Sequence, residues 1–234
     1  MPATNNTEDT RSDLAVYFFA VPLILLGGLL GFLYMTTFPA QVFASEKDYK
    51  ASLVSAANGE KRVHSKPGDV YYIEGSTSRN RSWQSKRELI KAVGPQTIHF
   101  SADEMNGWIS AKLRIQDTEV NDAPNILIVP GLPKVGLVNG KGLFLKLPVA
   151  VTAYGGIIEY VVSVFFNLES SRFKIESVNI NSARVPFPDV IGSRVISALL
   201  EGYKSIGEYK IISSAFERID SATVEDGHLV LLLR

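Results

Sequence analysis

LFLKLPVAVTAYGGIIEYVVSVFFNL, residues 143–168, alternates with a period of two along most of its length. Its first half is apolar at the odd positions Leu143, Leu145, Leu147, Val149 and Val151. After Tyr154-Gly155-Gly156 the apolar set moves to the even positions Ile158, Tyr160, Val162, Val164, Phe166 and Leu168. Side chains of a strand point to alternate faces, so the stretch predicts two long antiparallel strands joined by a turn, with one face on a core. The other face is not cleanly polar. Phe144, Ala150, Ile157, Val161 and Phe165 stand where a half-solvated sheet carries polar groups. Two readings follow. Protein covers both faces, the plainer account, or part of the second face lines an apolar groove for a lipid tail, each CH₂ of which contributes roughly 0.8 kcal/mol on burial.

Working outward, Asn125–Pro130 and Lys134–Val138 read as short strands, and Asn139-Gly140 as a two-residue hairpin turn with both residues at positive φ. On the carboxyl side Arg172–Glu176 alternates, and Val178 and Ile180 continue on the opposite parity. One extra residue near Ser177, a β-bulge, accounts for the slip and bends the strand. Pro186 and Pro188 lead into a helix over about Asp189–Glu201, with Ile191, Val195, Ile196, Leu199 and Leu200 on one stripe and Gly202 at its end. Ile211–Ile219 and Leu229–Arg234 read as closing strands, the second after an Asp226-Gly227 turn.

Upstream, Asp69–Glu74 reads as a first strand, Gly75–Ser82 as a loop and Thr97–Phe100 as a brief strand. Two S-x-x-E capping boxes open helices at Ser85–Glu88 and Ser101–Glu104. Gly94-Pro95 stops the first; the second places Met105, Trp108, Ile109 and Leu113 on one apolar face. The expected fold is α+β, a bent, long-stranded antiparallel sheet packed against two amphipathic helices, behind an N-terminal transmembrane helix.

That helix lies in Leu14–Ala40, which holds no Asp, Glu, Lys, Arg or His. Residues 14–36 alone give a helix about 35 Å long, enough for a hydrocarbon core of about 30 Å. A cleaved signal peptide is the rival, with Val42-Phe43-Ala44 before Ser45 as a cleavage site. The apolar run is much longer than an h-region of about 7–15 residues, and the preceding tail carries Glu8, Asp9 and Asp13 against a lone Arg11. A retained anchor is the better reading. Gly27 and Gly31 form a GxxxG pair that would let two anchors dimerise, although glycine is common in membrane helices anyway. Flanking charge (Arg11 before, Lys47 and Lys50 after) leaves orientation open. The chain divides into a disordered tail (1–13), the anchor (14–40), a neck with a short helix over Glu46–Ala57 and a first strand and helix (41–94), and an α+β domain (95–234).

Lys+Arg and Asp+Glu both total 24, so nothing points to nucleic acid, and the absence of cysteine excludes disulfides and thiolate chemistry. His64, His99 and His228 are scattered, with no second ligand at metal spacing. Residues 136–142 (GLVNGKG) lack the ending of a phosphate loop and read as a hairpin. Trp83 with Arg81, Lys86 and Arg87 forms a basic-aromatic cluster, read as solvated helix surface or as a contact for anionic headgroups. No cofactor and no catalytic constellation is expected.

Phe100-Ser101-Ala102-Asp103-Glu104-Met105-Asn106-Gly107-Trp108-Ile109, behind an anchor and a polar neck, is similar to the strand and E-x-N helix of YpmS-like bacterial envelope proteins. Later strands lead to Ala183-Arg184-Val185-Pro186-Phe187-Pro188, a helix and two closing strands. That order resembles the same group and, more distantly, the LmeA-like and tubular lipid-binding proteins, where a bent sheet wraps a helix around an apolar groove. The resemblance covers about residues 95–234. Ala183-Arg184 replace that group's glycine before the proline motif, and Lys61–Ser85 has no counterpart. The resemblance implies a domain on the outer side of a bacterial cytoplasmic membrane that handles lipid, and it carries no enzymatic residues.

The leading expectation is therefore a non-enzymatic, single-pass envelope protein whose domain holds or shuttles a membrane lipid. Its candidate lining residues are Trp108, Leu147, Val149, Tyr160, Val162, Phe166, Ile196 and Leu200. The alternative is a structural or assembly factor that docks an envelope protein partner and holds no ligand. A hydrolase or transferase acting on a membrane substrate comes third.

Overall fold

A computed structural model of the chain describes residues 9–58, 70–77, 79, 81–113, 126–153 and 156–234. Helix α1 spans Asp9–Thr36, so Asp9–Asp13 continue the helix rather than belonging to a disordered tail. Val16–Thr36 is long and apolar enough to cross a membrane, and large side chains such as Phe18, Ile24 and Leu30 stand exposed on it. Its end is fixed to the domain. Asn181 Nδ2 donates to the Thr36 carbonyl at 2.6 Å, and Ser182 donates through its backbone N–H to Phe38 and through Oγ to Pro39.

The neck contains β1 (Gln41–Phe43), α2 (Glu46–Ala57, N-capped by Ser45) and β2 (Tyr71–Ile73), with β1 and β2 paired in parallel. Helix α3 (Trp83–Lys91) begins before the expected capping box: Ser85 Oγ donates back to Ser82 O inside the first turn. Trp83 is buried, and a helix started at Ser85 would leave it in the loop. After β3 (Gln96–Ser101), helix α4 (Ala102–Lys112) has its capping box complete. Glu104 N–H donates to Ser101 Oγ at 3.2 Å, and Ser101 N–H donates to Glu104 Oε2 at 2.9 Å.

Six strands form the main antiparallel sheet: β4 (Ile126–Pro130), β5 (Lys134–Val138), β6 (Gly142–Ala153), β7 (Gly156–Asn167), β8 (Lys174–Ile180) and β9 (Ala183–Arg184). Their order is β4-β6-β7-β8-β9, and β5 also pairs with β6. Leu143 faces Phe166, Leu147 faces Val162 and Val151 faces Ile158, which brings the two alternating apolar sets onto one face. The bulge lies where it was expected: Phe165 pairs with Ser177 and Phe166 with Ile175, leaving Glu176 as the extra residue. The Tyr154-Gly155 turn and His64 lie outside the described residues. At Asn139-Gly140 the expectation of two positive φ angles fails. Only Gly140 has one (+69°), in a three-residue loop between Val138 and Gly142, and its N–H donates to Val224 O at 2.9 Å.

After one π-helical turn at Pro188–Gly192 come α5 (Ser193–Glu201) and α6 (Gly207–Glu217). Helix α6 corrects the strand expected over Ile211–Ile219. Tyr209, Ile212 and Phe216 stand at i, i+3 and i+7, a helical spacing that the Ile211-Ile212 doublet masks in the sequence. The closing pair is instead β10 (Ile219–Glu225) and β11 (His228–Leu233), joined with β3 in a three-stranded antiparallel sheet of order β10-β11-β3.

The main sheet has protein on both faces. One carries the core of Leu147, Val149, Val162, Val164 and Val178 under Ile196 and Tyr203. The other packs Phe144, Val161 and Phe165 against Tyr72, Ile73 and Phe43 of the neck. The neck therefore covers Phe144, Val161 and Phe165 of the second face, and leaves Ile157 of that face 70% exposed. A third cluster joins Trp83, Phe100 and Trp108 to β10, β11 and the distal end of β6.

Candidate functional site

A cavity of about 580 Å³ opens on the alternating face of β6 and β7, between the main sheet, the three-stranded sheet and helices α4, α5 and α6. Small-molecule sites run from about 300 to 1,000 Å³. The floor is Leu143, Leu145, Leu147 and Phe166 of the long hairpin. Helix α4 contributes the face formed by Met105, Trp108, Ile109 and Leu113, and Leu229 and Leu231 close the far side. Helices α5 and α6 roof it with Ile196, Leu200, Ile212 and Ala215. Phe216 lines the cavity while 51% exposed, so the cavity reaches the surface at the carboxyl end of α6, beside Phe173, whose ring lies 4.7 Å away.

Three polar side chains of the wall are turned toward the protein. Trp108 Nε1 donates to Glu208 Oε1 at 2.7 Å, Ser213 Oγ to Lys210 O at 3.2 Å, and the Tyr203 hydroxyl to Gly131 O. Burial pushes the Tyr203 phenol up to about 12, so it stays a neutral donor. Glu208 is held from its other side by Arg87 Nη2 at 2.9 Å. The Arg87 guanidinium, reinforced by Trp108 and opposed by burial, keeps the Glu208 carboxyl below its ordinary range. The rest of the lining is mainly hydrocarbon, with Tyr209 and Glu217 as the other polar side chains, and such a space favours apolar occupants.

Five of the residues expected to line a cavity do so: Trp108, Leu147, Phe166, Ile196 and Leu200. Val149 and Val162 are buried in the adjoining solid core and do not reach the void. Tyr160 pairs with Val149, one row nearer the hairpin end, and is also outside it. The residues of α6 were missed because that segment reads as a strand. The i, i+3, i+7 spacing of Tyr209, Ile212 and Phe216 was the available signal.

Of the basic-aromatic cluster, Arg81 is exposed, while the other three members are engaged within the protein. Trp83 is 5% exposed and stacks on Trp108, at 6.4 Å between rings, while Lys86 pairs with Glu104 and Arg87 with Glu208. Among the described residues no group of three His, Cys, Asp or Glu is placed to hold a metal ion. No protein-family model, no curated protein and no solved structure matches this chain.

Proposed function

We propose that the chain is a single-pass membrane protein, anchored by α1, whose carboxyl-terminal domain takes up an acyl chain or similarly elongated apolar ligand in the cavity. One observation carries the reading: an open cavity of about 580 Å³, lined mainly by hydrocarbon, in which Trp108 and Tyr203 turn their polar atoms to protein partners. A wall of this kind selects by apolar burial. At roughly 0.8 kcal/mol per CH₂, six methylenes offer about 5 kcal/mol before the cost of association. The polar end of such a ligand stays at the mouth beside Phe216. The short-motif resemblance to YpmS-like envelope proteins supports the same reading, in which the domain lies on the outer side of a bacterial cytoplasmic membrane. The reading assigns the domain no catalytic step.

The test uses the full chain in lipid vesicles with a photoactivatable fatty acid. Adducts on cavity residues such as Leu147 and Phe166 are expected, together with their loss in Ala215→Trp, where the indole fills the void. Adducts confined to α1, unchanged by Ala215→Trp, overturn the reading.

A further inference from the structure

The end of the main sheet nearest the anchor exposes apolar side chains that the rest of the fold does not use. Ile128 is 57% exposed, Ile157 70% and Ile158 54%. Ile128, Val151 and Ile158 are successive partners across β4, β6 and β7, so they form one row. Along the chain, no Asp, Glu, Lys, Arg or His occurs from Leu147 to Ile158, or from Ala123 to Pro133. Lys146 and Glu159 bound the first of these runs.

The position of this end relative to α1 follows from the joint. Asn181, which bonds the end of α1, also exchanges backbone and side-chain hydrogen bonds with Val161. Ile157 lies four residues beyond Val161, about 13 Å further along the strand. The three-stranded sheet is attached at the opposite end, where Val224 and Ser171 bond Gly140 and Ala222. Phe32, one turn inside α1, packs on the same cluster that Val151 joins, so α1 and this part of the sheet share one apolar cluster. Tyr34 and Phe38, rings 4.9 Å apart, mark the level at which aromatic side chains favour the membrane interface.

We propose that this uncharged end of the sheet is a second membrane contact, with β4 and the β6–β7 end resting in the near leaflet beside α1. The proposal rests on α1 spanning a bilayer, as argued above, and is independent of cavity occupancy. Among the described residues, strand β7 has no partner on its β8 side beyond Val161, and β4 is an edge strand. Unpaired edges are not tolerated in the hydrocarbon interior. The contact therefore stops at the boundary between headgroups and acyl chains, about 5–10 Å deep.

The natural chain has no cysteine, so single labels can be placed freely. Full-length Leu25→Cys, Ile157→Cys, Ile158→Cys and Val93→Cys variants carry an environment-sensitive fluorophore in phosphatidylcholine–phosphatidylglycerol vesicles doped with spin-labelled lipid. Val93 is 98% exposed, on the loop after α3, whose end Arg218 bonds from the far side of the domain. Labels at 25, 157 and 158 should lose about half their intensity or more, as membrane-embedded sites do, while the label at 93 is unaffected. Quenching at 25 without quenching at 157 and 158 overturns the second contact and leaves the anchor standing. An unquenched label at 25 removes the anchor and this proposal together. Disulfide-linked dimers through position 158 without quenching would assign the surface to a second copy instead.

Discussion

Asn106 holds Val135 by both of its backbone groups. Its Oδ1 accepts from the Val135 N–H at 2.7 Å and its Nδ2 donates to the Val135 carbonyl at 2.9 Å. The side-chain amide thus serves β5 as a neighbouring strand would, and the same Nδ2 also donates to Ser76 O at 2.8 Å. Through this one residue, 1% exposed, α4 is locked onto the sheet that floors the cavity and onto the segment after β2. Replacing it by leucine keeps the volume and strands the Val135 N–H and C=O in the interior. Asn106→Leu should cost about 2–4 kcal/mol in denaturant unfolding of the domain, at an unchanged slope. A loss well below about 1 kcal/mol would mean that α4 docks without the amide.

Gly136 sets how closely β2 crosses β5. A Cβ built there would lie 2.1 Å from the Ile73 carbonyl oxygen, a backbone atom that cannot swing aside. Gly136→Ala should push the neck off the second face of the sheet, expose Phe144 and destabilise by about 1–3 kcal/mol. Limited proteolysis checks it: cleavage near Tyr71–Glu74 should accelerate while the β10–β11 region stays protected. An unchanged digestion pattern refutes the close crossing.

The Arg87–Glu208–Trp108 link fixes the first turn of α6 to α3 and α4. Because the folded Glu208 carboxyl lies below its ordinary value of 4.5, the stability it contributes is complete above that pH. It is lost as pH falls through the depressed folded value. Glu74, where hydrogen bonds from Lys134 and Lys146 outweigh the opposing burial, and Glu104, where Lys86 and the Ser101 N–H do so, have the same sign. The domain should therefore lose stability on acidification below about pH 4.5. Glu208→Gln should be less stable than the natural chain at pH 7 and flatter across the acid limb. A variant with the same acid slope would show that the link does not govern α6.

Sequence patterning carried the long hairpin, the bulge at Glu176 and the capping box at Ser101, because each is a local rule with a fixed spacing. It failed where tertiary burial overrode a local preference. Trp83 starts α3 early because the indole is buried on Trp108, and the Ile211-Ile212 doublet conceals a helix whose period appears only when Tyr209 and Phe216 are included. The apolar second face of the sheet suggested a groove because nothing local announces that β1 and β2, neither of them amphipathic, fold back over it. The cavity itself was half legible. Alternation identifies which side chains of β6 and β7 face inward, but whether an inward side chain meets another side chain or empty space depends on elements distant in the chain. Leu147 and Val149 are identical in pattern and sit in the same buried cluster, yet only Leu147 reaches the void.

That difference yields a prediction. Leu147 is fully buried and lines the void, whereas Val149 is buried in the solid core two residues away. Truncating either should destabilise, by about 2–5 kcal/mol for Leu147→Ala and less for the smaller Val149 side chain. The consequences for binding should diverge. Leu147→Ala extends the existing cavity, so if the cavity takes an acyl chain as proposed, capture of photoactivatable fatty acids should shift toward longer or branched chains. Bound ligand should also restore part of the lost thermal stability, since it fills space the leucine vacated. Val149→Ala opens a separate pocket that no ligand enters, and its chain-length profile should match that of the natural protein. Equal shifts in both variants would mean that the core between Leu147 and Val149 yields as one body, and the boundary drawn here between cavity and core would be wrong.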